Sequence, residues 1–260
     1  MRSILVHADR SPSMTARLET ALALVRANRG HLTVLIDTPI SRYIALDPMG
    51  GSYIASTAMQ QAVEDDRKQV ETMEARLAGE DIPFRVIHSE ADPVEALAAA
   101  SRLTDVIIIS RSSGIAGELA LAARTPLLVV SETTQLAFPP AKACVAWDGG
   151  NEAAMALRSA VPLLAACGTV EVLTAVEKPG GAPPGAAVRY LAKHDIAAEP
   201  RELPRRGSTE ETLAAAVRDG GGQLLVMGAY GRGRMREFLF GGVTRYFLDH
   251  DQGPALLMAH

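Results

Sequence analysis

Two short apolar runs that each stop at an aspartate, Ile4 to Asp9 and Ala143 to Asp148, open segments whose later landmarks recur in the same order. Each run is followed by a polar turn and an alanine-rich stretch. Asp92-Pro-Val-Glu-Ala-Leu-Ala-Ala-Ala100 is then matched by Ser208-Thr-Glu-Glu-Thr-Leu-Ala-Ala-Ala216, and Pro126-Leu-Leu-Val-Val130 by Pro254-Ala-Leu-Leu-Met258. Self-similarity of this kind means tandem copies of one structural unit. The join falls near Phe138-Pro139-Pro140, where two prolines block a helix and favour extended backbone, so the expected domains are residues 1–137 and 141–260. With 260 residues, 48% of them apolar, each copy has ordinary domain size and the material for a core.

Each copy alternates strands with helices. In the second, strands are expected near 143–148, 170–176, 199–203, 223–228 and 255–259, and helices near 152–166, 186–194, 209–219 and 242–250. Helix starts are signalled by Asn151, by Ser208 with Glu211 three residues on, and by Asp92 followed by Pro93 and Glu95. Runs such as Val106 to Ile109 are apolar on both faces, which suits a parallel sheet covered on each side. The expected fold class is therefore α/β, two open five-stranded parallel sheets with helices on both faces. The closing strands Leu127 to Val130 and Leu256 to Met258 would leave sheet edges unsatisfied, so they are expected to pair with each other across a pseudo-twofold.

One segment implies a ligand. Gly228-Ala-Tyr-Gly231, nine residues and then Gly241-Gly242-Val243-Thr244 lie between an expected strand and an expected helix. Glycine lets the backbone turn tightly and lie flush against a bound group. Amides of such a loop, with those of the following helix, suit phosphate oxygens. Arg232, Arg234, Arg236 and Arg245 against a single Glu237 make this stretch basic in a chain of net charge −4. On residues alone two readings stay open, a ligand cradle or a turn that packs strand on helix. Asp148 is equally open, as a ligand contact or as the start of the Gly149-Gly150-Asn151 turn. In open α/β sheets ligands sit beyond the carboxyl ends of strands, where strand order reverses. Asp148, Val176 and Gly228 all fall at such ends.

A two-copy α/β chain with an aspartate closing strand one and G-x2-G-x9-G after strand four resembles the tandem form of the universal stress protein family, over nearly its whole length. The resemblance implies an adenine nucleotide hydrolase-like fold. It also implies ATP or another adenine nucleotide as ligand, with Mg as an optional companion, in a stress-response protein of sensory or regulatory role. Residue by residue, Asp148 would face the base or ribose, Val176 would border the base, and Gly228, Gly231, Gly241 and Gly242 would wrap the phosphates. Val243 and Thr244 match the family pattern after the last glycine, with Thr244 a further hydroxyl donor, and Ala146, Trp147, Met227 and Tyr230 complete the expected binding residues. The family pattern has Ser or Thr directly after the last glycine, where this chain has Gly242, so one hydroxyl donor is missing. Tyr230 is larger than the loop needs and would either stack or obstruct. The first copy departs further: 13 positions separate Ser113 from Pro126, whereas 23 separate Gly231 from Pro254, so its phosphate loop is expected to be lost and Asp9 to be structural.

Other chemistry is sparse. The chain has no Walker A sequence, no G-x-S-x-G elbow and no H-E-x-x-H helix. With Asp148 or Glu237 near a metal, slow ATP hydrolysis is the most that the residues support, and a binder is expected rather than an enzyme. A non-nucleotide interaction module of the same fold is the alternative. His7 reads as a core histidine, and His194, His250 and His260 lack the spaced partners of a metal site. Cys144 and Cys167 read as buried thiols. The acidic balance argues against nucleic acid and membrane surfaces, and the absence of a leader or an apolar span leads to an expected cytoplasmic location. An unidentified protein partner and a further homodimer are both compatible with the sequence. The stretch from Thr38 to Thr57, rich in Gly, Pro and Ser, is expected to form a flap.

Overall fold

The computed structural model describes residues 1–39, 52–132, 135–176, 183–230, 242–250 and 253–260, with the backbone alone for 52–56. In the first copy the order is β1 (Ser3–His7), α1 (Met14–Asn28), β2 (His31–Asp37), α2 (Ser52–Ala78), β3 (Phe84–Ser89), α3 (Pro93–Ala100), β4 (Val106–Ser110), α4 (Ala116–Ala122) and β5 (Leu127–Val130). The second copy follows with β6 (Lys142–Ala146), α5 (Asn151–Leu164), β7 (Thr169–Val176), α6 (Gly185–Ala192), β8 (Glu199–Pro204), α7 (Thr209–Asp219), β9 (Leu224–Gly228), α8 (Gly242–Asp249) and β10 (Ala255–Ala259).

The strands form a single ten-stranded sheet in the order β3-β2-β1-β4-β5-β10-β9-β6-β7-β8. Within each copy all pairs are parallel. The two halves join where β5 and β10 run antiparallel, Leu128 opposite Leu257. The expected pairing of the closing strands is thus present, and it leaves only β3 and β8 as edges. The β8 edge is guarded by Glu199, Arg201 and Glu202 and by Pro200 and Pro204, which discourage another strand from adding.

Alternation of side chains divides the core in two. Ile4 and Val6 face one layer, with Leu18 and Leu22 of α1, Leu77 of α2, Leu157 of α5 and Leu191 of α6. Leu5 and Ile107 face the other, with Leu97 of α3, Leu119 of α4, Leu213 of α7 and Phe247 of α8. Fully burying a side chain of this size contributes roughly 1.5–3 kcal/mol. β4 is buried at every position, as a strand covered on both faces must be.

Two helix starts follow their signals. The Asp92 carboxylate accepts from the Val94 N–H at 3.0 Å, ahead of Pro93. Ser208 and Glu211 form a reciprocal capping box. Asn151 differs: it is the first helical residue of α5, and Gly150 holds the cap position without a side-chain bond. The Asp148 carboxylate closes the turn ahead of the helix instead, accepting from the Gly150 N–H at 2.7 Å. Of the stretch expected to form a flap, the residues from Ser52 onward are already α2, and residues 40–51 lie outside the described residues.

Candidate functional site

Strand order reverses between β1 and β4 and again between β6 and β9. A crevice opens in such a sheet where the loops from the two central strands leave in opposite directions. In the second copy this place is a cavity of about 640 Å³ beyond the carboxyl ends of β6, β7 and β9. Its floor includes Ala146, Leu173, Met227 and Gly228, and Trp147 and Asp148 stand at its side. Three helices begin on its wall: α5 with Glu152 and Ala153, α7 with Thr209 and Glu210, and α8 with Gly242, Val243 and Thr244. The first amides of a helix have no intrahelical acceptor, and the helix dipole adds partial positive charge there. Three such ends around one space favour an anionic guest.

The side chains pull the other way. Among the described residues that line the cavity, Arg205 is the one cation, against Asp148, Glu152 and Glu210. Arg205 donates from Nε to the Gly207 carbonyl at 2.9 Å. Asp148 and Glu152 both turn toward Gly150, since a Cβ placed there would lie 3.0 Å from Asp148 Oδ1 and 3.4 Å from Glu152 Oε2. Within the described residues no three His, Cys, Asp or Glu side chains are grouped to hold a metal ion by themselves.

The glycines differ in what they do. A Cβ on Gly228 would meet the backbone of α5, 2.6 Å from Ala153 N and from the Glu152 carbonyl carbon, so this position must be bare for strand and helix to touch. Gly228 thus serves the packing of β9 on α5, and it also lines the cavity. Gly242 is roomier, as its Cβ would lie 3.5 Å from Glu210 Oε1, an ordinary contact. Gly231 and Gly241, with the arginines between them, lie outside the described residues.

Two of the expected residues are placed elsewhere. Val176 does not line the cavity, because alternation along β7 turns Leu173 and Ala175 toward it instead. Tyr230 is not among the described residues that line it: its hydroxyl donates to the Gly117 carbonyl of the first copy at 2.6 Å, and its ring meets His260 edge-on. Burial pushes the Tyr230 phenol up to about 12, so it remains a donor. Glu152, Ala153, Arg205, Thr209, Glu210 and Leu213 also line the cavity, as does Ser208, which the sequence marks only as a helix start. The Ser208 capping signal was the available clue, since a helix start at the carboxyl edge of a sheet points its amides into the crevice.

At the corresponding strand ends of the first copy a buried guanidinium meets the aspartate. Arg17 is fully buried in α1, its Nη2 2.5 Å from Asp9 Oδ1 and its Nη1 2.9 Å from Ser110 Oγ. Burial raises the Asp9 carboxyl, but the hydrogen bond and charge of Arg17, together with Ser11 and His7, outweigh it and hold the group below its ordinary value. Counting eight residues on from the strand-one aspartate gives Arg17 in this copy and the buried Ala156 in the second. His7 is a buried histidine paired through Nε2 with Asp37, while its Nδ1 has no hydrogen-bond partner among the described residues.

A model of the universal stress protein family matches residues 1–130 and again 141–257. The chain belongs to the universal stress protein family, in its tandem form. A universal stress protein from Archaeoglobus fulgidus DSM 4304 has the same fold with a TM-score of 0.73 at 14% identity, over 98% of this chain and 97% of that one. A putative universal stress protein from Pseudomonas aeruginosa UCBPP-PA14 follows at 0.63 and 15%, over 100% and 93%. A universal stress protein solved in complex with cAMP is similar over 46% of this chain and 96% of its own, at 17% identity and a TM-score of 0.35. Curated proteins give no match. Among the described residues no helix is long and apolar enough to cross a membrane.

Proposed function

We propose that the second copy binds an adenine nucleotide, ATP in the first instance, in the crevice between β6 and β9, and that occupancy serves a sensory or regulatory role toward a protein partner in the cytoplasm. The observation that carries this reading is the convergence of three helix starts on one cavity at the point of strand reversal. Their amides receive the phosphates, with Gly242, Val243 and Thr244 nearest, while Ala146, Trp147 and Ala175 border the adenosine. Asp148 and Glu152, both turned toward Gly150, are the carboxylates available to a magnesium ion that arrives with the phosphates, since such ions are held by one or two carboxylates plus phosphate oxygens. No described pair of side chains in the cavity is arranged as nucleophile and base, so binding rather than turnover is the reading.

Isothermal titration with ATP tests it. Saturable binding that is lost in a Gly242→Trp variant, whose side chain would enter the cavity, is the expected result. A wild-type chain with no heat of binding and no thermal shift in millimolar ATP would instead favour an interaction module without nucleotide. The specific observation on that side is the acidic trio Asp148, Glu152 and Glu210 around a single described cation.

A further inference from the structure

The first copy lacks ten positions in its loop after β4, and the residue that begins the shortened turn does something else. Arg111 opens a single 3-10 turn, Arg111–Ser113, and is buried although it is an arginine. Its guanidinium reaches across the boundary between the copies, donating from Nη1 to the His250 carbonyl and from Nη2 to the Pro254 carbonyl at 2.7 Å. His250 directly follows α8, and Pro254 directly precedes β10. The last carbonyls of a helix have no intrahelical donor, and a cation there also complements the helix dipole. Gly253 leaves room for this side chain, since a Cβ on it would lie 2.9 Å from Arg111 Nη1. A second contact comes from the opposite direction. Tyr230, in a left-handed conformation at φ 61°, directs its hydroxyl to Gly117 at the start of α4, and α4 lies against α8.

We propose that the first copy sets the shape and affinity of the second copy's crevice by gripping α8, with Arg111 at its carboxyl end and Tyr230 pinned on α4 beside it. α8 presents Gly242, Val243 and Thr244 to the cavity at its other end. A helix is stiff over eight residues, so its tilt is transmitted from the Arg111 end to the crevice wall. A copy whose loop after β4 is ten positions shorter thereby acts on its neighbour's crevice. By linkage, whatever loosens the contact between the copies weakens the ligand, and the ligand tightens that contact to the same degree. The ligand in this inference is that of the reading above, but the grip on α8 can be measured without it.

The test is amide hydrogen exchange together with ATP titration on the full chain, for the wild type, Arg111→Met and Tyr230→Phe. Both variants are expected to speed exchange at 245–249 while leaving β1 and β2 unchanged, and to weaken ATP at least about fivefold. Saturating ATP is expected to slow exchange at 111–113 in the wild type, which a merely structural Arg111 would not produce. Unchanged exchange in α8 overturns the grip. Faster exchange with unaltered ATP affinity overturns its influence on the crevice. If the wild type binds no ATP, the nucleotide reading falls while the exchange arm still decides whether Arg111 and Tyr230 hold α8. Should Arg111→Met not fold, Tyr230→Phe, which removes one hydroxyl, carries both arms.

Discussion

Arg17 Nη2 lies 2.5 Å from Asp9 Oδ1 inside the first copy, so the carboxylate that ends strand one is neutralised by a fully buried guanidinium of its own helix. Removing one member of such a pair leaves the other charge desolvated. Arg17→Met is expected to lower the unfolding free energy by about 3 kcal/mol, the lower end for breaking a buried pair because Asp9 retains some exposure. Urea denaturation at neutral pH measures it, and the double variant Asp9→Asn, Arg17→Met should recover part of the loss. Equal losses in the single and double variants would show that the two groups are not coupled.

The same pair gives a pH dependence with a definite sign. Asp9 is held below its ordinary value of 3.8, so as pH falls the unfolded chain takes up the proton first. The stability this group contributes is complete above 3.8 and is lost as pH drops through the lower folded value. Wild type should therefore lose stability more steeply than Asp9→Asn on going below pH 4, even though the variant is less stable at neutrality. Parallel slopes in urea midpoints across that range would remove Asp9 as a contributor.

Two glycines that a motif treats alike should behave oppositely. Gly228→Ala would push a Cβ to 2.6 Å from the backbone of α5, which has no side chain to give way, and is expected to destabilise by about 1–3 kcal/mol or more. Gly242→Ser fits, with only an ordinary contact to Glu210, and supplies the hydroxyl that the family pattern has there. A hydrogen bond to a charged group is worth about 1.5–3 kcal/mol, so ATP is expected to bind roughly tenfold or more tightly. Thermal unfolding and titration calorimetry distinguish these outcomes. A well-folded Gly228→Ala, or a Gly242→Ser with unchanged affinity, would contradict the assignment.

The architecture was legible because it depends on period and order. Apolar runs at β1 and β4 and the capping box at Ser208 fix where elements begin, and the repeat fixes how many times they occur. The crevice was legible in part. The glycine and aspartate spacing led to Ala146, Asp148, Gly228 and Gly242, but whether a side chain at a strand end turns inward depends on register. That register brought in Ala175 and left out Val176. Tyr230 was drawn away by a carbonyl in the other copy, a long-range contact that no local pattern carries. Arg17 did leave a trace, as a charge among Met14, Leu18 and Ala21 on the apolar stripe of α1.

The cysteines offer an independent check on the core. Burial pushes both thiols up to about 11, with the Glu171 carboxylate adding to the effect at Cys144. At pH 8 roughly a thousandth of each is thiolate, and the thiolate is the reactive form. Iodoacetamide should leave both unmodified in the native chain and alkylate both in urea. Rapid native labelling of Cys144, which is fully buried, would show that the sheet opens there.

The stoichiometry of ATP binding tests the central claim most directly. With Arg17 paired to the strand-one aspartate in the first copy and a cavity beside Asp148 in the second, titration calorimetry should give one nucleotide per chain, abolished by Gly242→Trp and retained in Asp9→Asn. Two equivalent sites, or no binding by a folded wild-type chain, would contradict it.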